Sequence, residues 1–203
     1  MPTPPRPATP RLRALAAGLL LAASLARAPA AQAAERPQVR IETSVGNFVV
    51  ELDPDRAPLT VANFLAYVAA GHYSGLLFHR VVDGFIVQGG GYTPELELRP
   101  VRAPIPNEAG NGLGNRRGTI AMARLGEPHS ADAQFYLNLA DNVELDPRPT
   151  RWGYAVFGQV IQGLEVVDEI GHRATTERGG MQNVPVEPIV IRSVEVLREP
   201  IPR

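Results

Sequence analysis

Short β-branched or alternating runs recur along this chain with few helix-length segments between them, and that recurrence constrains the fold most. The runs are VRIETS (39–44), NFVVEL (47–52), LLFHRVV (76–82), FIVQ (85–88), TIAMAR (119–124), QFYLNLA (134–140), YAVFGQVI (154–161) and PIVIRSVEVL (188–197). Eight short strands of this kind imply a mainly β chain, folded as a closed barrel or a sandwich. Val45-Gly46 is a tight-turn signal joining the first two. No internal repeat and no linker rich in Gly, Ser or Pro divides residues 34–203, so a single domain is expected there.

Two segments carry the helical period instead. In APLTVANFLAYVAAG, Pro58 suits a first turn, Val61, Phe64, Leu65 and Val68 share one face, and Gly71 can end the helix. GLEVVDEIG, with Leu164 and Val167, predicts a shorter second helix, and two such helices can plug the open ends of a barrel. Between Gly89 and Gly118 runs a long stretch rich in Pro, Asn and Gly without periodicity, and loops of that length in a compact domain usually serve function.

The first 33 residues differ in kind. They hold Arg6, Arg11, Arg13 and Arg27 and no acid, then the apolar run LRALAAGLLLAASLA, then a small-residue stretch in which Ala31 and Ala33 set an A-x-A pattern. That order predicts a secretory signal peptide cleaved after Ala33. The apolar run falls short of the roughly 20 residues that a spanning helix needs, so the exported chain is expected to be free of the membrane, in the periplasm. No cysteine is present, which excludes disulfides, thiol chemistry and a lipid-modified cysteine at the cut. Removing residues 1–33 leaves 16 arginines against 21 acidic residues, a formal charge of −5, which argues against nucleic acid as a partner. Every basic residue is arginine, so lysine-based mechanisms are closed off. A monomer is expected.

FHRVVDGFIVQGGG (78–91) raises the chemical question, because it sets an arginine and a glutamine on the two arms of an apolar hairpin. Asp83-Gly84 signals the turn and allows two registers. A two-residue turn sets Arg80 opposite Val87. A three-residue loop, Asp83-Gly84-Phe85, sets Arg80 opposite Gln88 and gathers Val82 and Ile86 on the same face. The second is physically better, since it leaves Val81 and Val87 together for the other face. By strand parity His79 points away from Arg80 and reads as a structural histidine. Taken alone, Arg80 reads as a surface ion pair with Glu51 or Asp83.

FHRVVDGFIVQGGG, then NEAGNGLGNRRGTIAMAR, AQFYLNLADN and GYAVFGQV, in that order, resembles the cyclophilin family of peptidyl-prolyl cis-trans isomerases, and within it the exported bacterial members. The similarity runs from about Val39 to Leu197. It implies an eight-stranded antiparallel closed β-barrel capped by two α-helices, with a binding groove on the barrel's outside and no cofactor. By motif, Arg80 matches the family's catalytic arginine. Phe85, Ile86, Gln88, Met122, Ala123, Gln134, Tyr136, Leu145 and Tyr154 match its groove positions, and Arg124 the adjoining position whose backbone meets the peptide in relatives. Three positions depart from many relatives: Tyr136 replaces phenylalanine, Tyr154 histidine and Glu144 tryptophan. The last weakens the expectation of tight cyclosporin binding and leaves the isomerase assignment untouched.

The resemblance implies rotation about X-Pro bonds, with proline-containing polypeptides and unfolded exported proteins as partners. A second hypothesis is a proline-peptide binding or holdase module with incidental turnover. A third, a barrel carrying an apolar ligand, requires an open lumen. Other chemistries find little support. His72, His79, His129 and His172 have no short ligand spacing, so no metal site is expected. Ser130 beside His129 lacks a nucleophile elbow and reads as loop polarity. Gly89 to Gly91 lack the context of a phosphate cradle and read as tight backbone turns. Trp152 next to Gly153 could rim the groove, but as a lone tryptophan it reads as packing.

Overall fold

The computed structural model describes residues 1–3 and 36–201. The expected cleavage point after Ala33, and all of the expected signal segment beyond residue 3, lie outside the described residues.

Eight strands make one antiparallel sheet: β1 (Gln38–Thr43), β2 (Asn47–Leu52), β3 (Phe78–Val82), β4 (Ile86–Gly89), β5 (Thr119–Met122), β6 (Phe135–Asn138), β7 (Val156–Gln162) and β10 (Ile191–Val196). Their order is β10-β1-β2-β7-β5-β6-β4-β3. Each of the eight expected runs supplies one strand. A further hairpin, β8 (Thr175–Arg178) and β9 (Met181–Pro185), forms a separate two-stranded sheet that sequence reading missed. β8 is exposed throughout, so it shows none of the buried alternation that marks a strand in sequence.

The sheet curls into a barrel whose closure is partial, a correction to the closed barrel expected. Its edges, β3 and β10, meet just outside the strands at one bridge, Leu77 to Val190. Phe78 N–H donates to the Ile189 carbonyl at 2.9 Å and Ile191 N–H to the Leu76 carbonyl at 2.8 Å. The interior is filled rather than open: Phe48, Phe64, Phe78, Phe135 and Phe157 are fully buried in one cluster, with Phe64 edge-on to Phe135 at 5.7 Å. That packing dismisses a ligand-carrying lumen.

Helix α1 (Pro58–Ala69) buries Val61, Phe64 and Val68 against this core, as their spacing predicts, while Leu65 is only half-buried. It stops where Gly71 adopts φ +65°. Gly71 N–H then donates to Val68 O and His72 N–H to Tyr67 O, which satisfies two of the last carbonyls. The N-terminus has no cap of its own. The Glu108 carboxylate arrives from the long loop instead, accepting from Leu59 N–H at 3.1 Å, Thr60 N–H at 2.8 Å and the Thr60 hydroxyl at 2.6 Å. Helix α2 (Leu164–Gly171) buries Val167 and Ile170 in the same core.

Candidate active site

The β3–β4 hairpin takes the three-residue loop. Arg80 pairs with Gln88, Val81 with Val87 and Val82 with Ile86, while Gly84 turns the chain at φ +65° and Phe85 N–H donates to Val82 O at 3.0 Å. Val81 and Val87 enter the core, leaving Arg80 and Gln88 half-buried on the outer face.

Register then carries that face across three more strands. Gln88 pairs with Tyr136 on β6, Tyr136 with Ala121 on β5, and Ala121 with Val156 on β7. Directly opposed residues share a face of the sheet, so Arg80, Gln88, Tyr136, Ala121 and Val156 form one transverse row. Around it gathers a second apolar cluster, distinct from the barrel core. Ile86, Ala121, Tyr136 and Val156 are buried in it, and Phe85, Leu113, Ala123, Leu145 and Tyr154 pack on them partly exposed. The result is an apolar niche bordered by a guanidinium.

The polar border is ordered by side-chain amides. Arg80 Nη1 donates to Gln88 Oε1 at 3.3 Å, and Gln88 Nε2 donates to Gln134 Oε1 at 3.1 Å. A Cβ on Gly91 would lie 2.6 Å from Gln134 Cδ, so the bare glycine makes room for that glutamine. Arg80 forms neither expected ion pair: Asp83 faces His172 at 3.9 Å, and Glu51 faces Arg36 at 3.8 Å. Across the niche, Arg124 is pinned by carbonyls, donating to Gly153 O at 3.1 Å and Trp152 O at 2.8 Å, with its guanidinium 4.6 Å above the Tyr154 ring. Tyr154 in turn stands edge-on to Tyr136 at 5.8 Å. A cavity of about 390 Å³ opens beside Gln88, Ala123, Arg124 and Gln134, walled by Leu98, Val101 and Leu125.

Met122 is a correction. It pairs with Phe135, lies 2 % exposed and packs in the barrel core. One residue along a strand reverses the face, so Met122 turns inward wherever Ala121 turns outward. Ala121 is the residue that belongs to the outer cluster, fully buried beneath it, and the alternation of Ile120, Ala121 and Met122 was the signal that sequence reading missed. Leu113 and Val156 were missed as well. Of the remaining expected residues, Phe85, Ile86, Ala123, Tyr136, Leu145 and Tyr154 come together in the niche, and Gln88, Gln134 and Arg124 line its edge. Glu144 is exposed.

His79 is the extra residue of a bulge between Phe78 and Arg80, buried with its ring 4.6 Å from that of Tyr92. Burial pushes its pKa down to about 4, so the imidazole is neutral at physiological pH. Ser130 serves its loop, donating to Glu127 O at 2.6 Å and accepting from Leu125 N–H at 2.9 Å. Trp152 is not packed inside; it is half exposed and stands edge-on to His129 at 5.0 Å.

Residues 38–196 match the family model of the cyclophilin type peptidyl-prolyl cis-trans isomerases. The chain belongs to the cyclophilin family. It is 51% identical over 162 residues to the peptidyl-prolyl cis-trans isomerase cyp18 of Streptomyces antibioticus, covering 78% of this chain and 98% of the relative. It is 46% identical over 187 residues to peptidyl-prolyl cis-trans isomerase A of Dickeya dadantii, covering 92% and 98%. A crystal structure of a cyclophilin-type isomerase of Cryptosporidium parvum in the presence of the dipeptide Ala-Pro superposes with a TM-score of 0.67 at 26% identity, covering 80% of this chain and 99% of that one. The cyclophilin is therefore an enzyme that isomerises peptidyl-prolyl bonds, and its fold is cyclophilin-like, with the barrel only partly closed.

Proposed function

We propose that the outer-face niche is the catalytic groove, that Arg80 is its catalytic residue, and that the enzyme assists the folding of exported proteins. The observation that carries this reading is the ordered line Arg80–Gln88–Gln134 along the border of an apolar niche. Rotation about an X-Pro bond makes and breaks no covalent bond. It is slow because amide resonance opposes it, with a barrier near ~20 kcal/mol. In the twisted amide the proline nitrogen regains a lone pair that the planar ground state lacks. A guanidinium held at the niche border donates a hydrogen bond to that lone pair, and so binds the transition state selectively.

Converting tens of seconds into milliseconds takes a gain of roughly 10⁴, about 5.5 kcal/mol. One charged donor contributes ~3 kcal/mol by analogy with oxyanion donors. Ring placement in the dry niche of Phe85, Ile86, Tyr136 and Leu145 supplies the rest. Gln88 fixes the guanidinium through its Oε1, and Gln88 with Gln134 presents amides to the substrate backbone.

Export rests on the basic start, apolar middle and A-x-A pattern of residues 1–33, with residues 34–203 as one isomerase domain in the periplasm and a monomer as the working state. Among the described residues no helix is long and apolar enough to cross a membrane. Two measurements test the proposal. In a proline tetrapeptide assay, the wild type turns over and Arg80→Ala is expected to lose about 100-fold or more; equal, negligible rates with retained peptide binding would instead support a holdase. In a bacterial host, N-terminal sequencing of the periplasmic protein is expected to start at Ala34, and recovery of the full-length chain from the cytoplasm alone would defeat export.

A further inference from the structure

Behind the transverse row lies Asn115, fully buried, supplied by the long loop between β4 and β5. Its side-chain oxygen accepts from the Tyr136 hydroxyl at 2.7 Å and from Asn138 Nδ2 at 3.3 Å. Its Nδ2 and its backbone N–H both donate to Asp146 Oδ1, at 3.0 and 2.7 Å. Its carbonyl accepts from Asn142 N–H at 2.8 Å. Asn142 in turn donates through Nδ2 to Asn138 Oδ1 at 2.7 Å and to the Phe85 carbonyl at 2.9 Å. One buried amide is thus tied to the niche floor at Tyr136, to the residue following the Leu145 wall, and through Asn138 and Asn142 to the Phe85 rim.

We propose that Asn115 is a positioning residue for the isomerase reaction, acting through the Tyr136 hydroxyl to hold the niche floor against the proline ring. A buried phenol needs an acceptor, and Asn115 Oδ1 is the one it has. Burial raises the phenol's pKa, which keeps its proton available for donation. The hydroxyl meets no substrate; it points behind the ring, into the network. Its effect is to remove a freedom of the ring that the groove would otherwise have to suppress during each turnover. The inference rests on the reading of the niche as the catalytic groove.

The test is a cycle of Asn115→Ala, Tyr136→Phe and the double variant, with kcat and KM resolved separately below the melting temperature of each protein. A loosened niche still binds proline but places it poorly. Either single substitution is therefore expected to lower kcat about 5- to 10-fold with KM within about two-fold. The double variant is expected to fall no further than Asn115→Ala alone. A kcat unchanged in either single variant, or losses that multiply in the double, overturns the proposal. If Asn115→Ala does not fold, Tyr136→Phe decides by itself, since it keeps the ring and leaves Asn138 as a donor to Asn115. Tyr136→Ala serves as the separate control: wild-type kcat/KM in that variant would defeat the groove assignment itself, not the link through Asn115.

Discussion

Arg80 reaches directly across its hairpin to Gln88, Nη1 to Oε1 at 3.3 Å, and the amide it touches is itself held by Gln134 at 3.1 Å. The Arg80 charge is thus aimed by neutral partners. A carboxylate in the same place would bind the guanidinium more tightly and compete with a weakly basic proline nitrogen for its protons. Removing the charge by Arg80→Ala is expected to lower kcat/KM by about 100-fold or more. Arg80→Lys restores only part of this, because an ammonium lacks the planar fork that Gln88 orients. Gln88→Leu is expected to cost about 10-fold by freeing the guanidinium. Since Arg80 is half-buried with one side-chain bond, thermal unfolding of these variants should stay within about 0.5 kcal/mol of wild type. A tetrapeptide assay paired with calorimetry checks both statements.

Met122 belongs to the barrel interior, and its substitution should be felt as stability rather than catalysis. Met122→Ala is expected to destabilise by about 2–5 kcal/mol through the cavity it leaves, and Met122→Leu by under about 1.5 kcal/mol. At temperatures where the variants remain folded, kcat/KM should equal wild type. A large rise in KM for Met122→Leu with an unchanged melting temperature would return this residue to the groove.

Glu108 caps a helix from 48 residues away. Glu108→Ala leaves the Leu59 and Thr60 donors without that acceptor and removes a negative charge from a helix N-terminus, so a loss of about 1–2 kcal/mol is expected in chemical denaturation. Glu108→Gln should recover part of it, because an amide oxygen still accepts while the charge is gone.

His79 gives the fold an acid sensitivity with a defined sign. Its folded pKa is about 4, below the 6.5 of an exposed histidine, because burial disfavours the charged ring. Between those values the unfolded chain binds the extra proton, so stability falls as pH drops from about 6.5 towards 4. At ~1.4 kcal/mol per unit, the group's share of that loss is on the order of 3 kcal/mol. His72, also lowered chiefly by burial, acts in the same direction. Melting temperatures measured across this window should drop less steeply for His79→Gln than for wild type, and parallel curves would remove His79 from the account.

What the sequence determined by itself was local. Asp83-Gly84 with a three-residue loop set the pairing of Arg80 with Gln88, because the hairpin's register depends only on its turn and on which face is apolar. The 3.6-residue period placed Val61, Phe64 and Val68 on the core side of α1, and Gly71 ended it. The eight apolar runs each became a strand of the main sheet. Tertiary structure decided the rest, where the partner is distant in the chain. Nothing near Ala57 in sequence indicates that Glu108 will cap α1. Nothing near Tyr136 names Asn115 as the acceptor of its hydroxyl, 21 residues away. The apolar character of Met122 suits either face of a strand, and pairing with Phe135 sent it inward. Nor did the strand count settle whether β3 and β10 would zip together or, as they do, meet at a single bridge. Turns and periodic faces are set by neighbours within a few residues, whereas caps, buried amide networks and barrel closure depend on which distant groups the packed core brings within hydrogen-bonding reach.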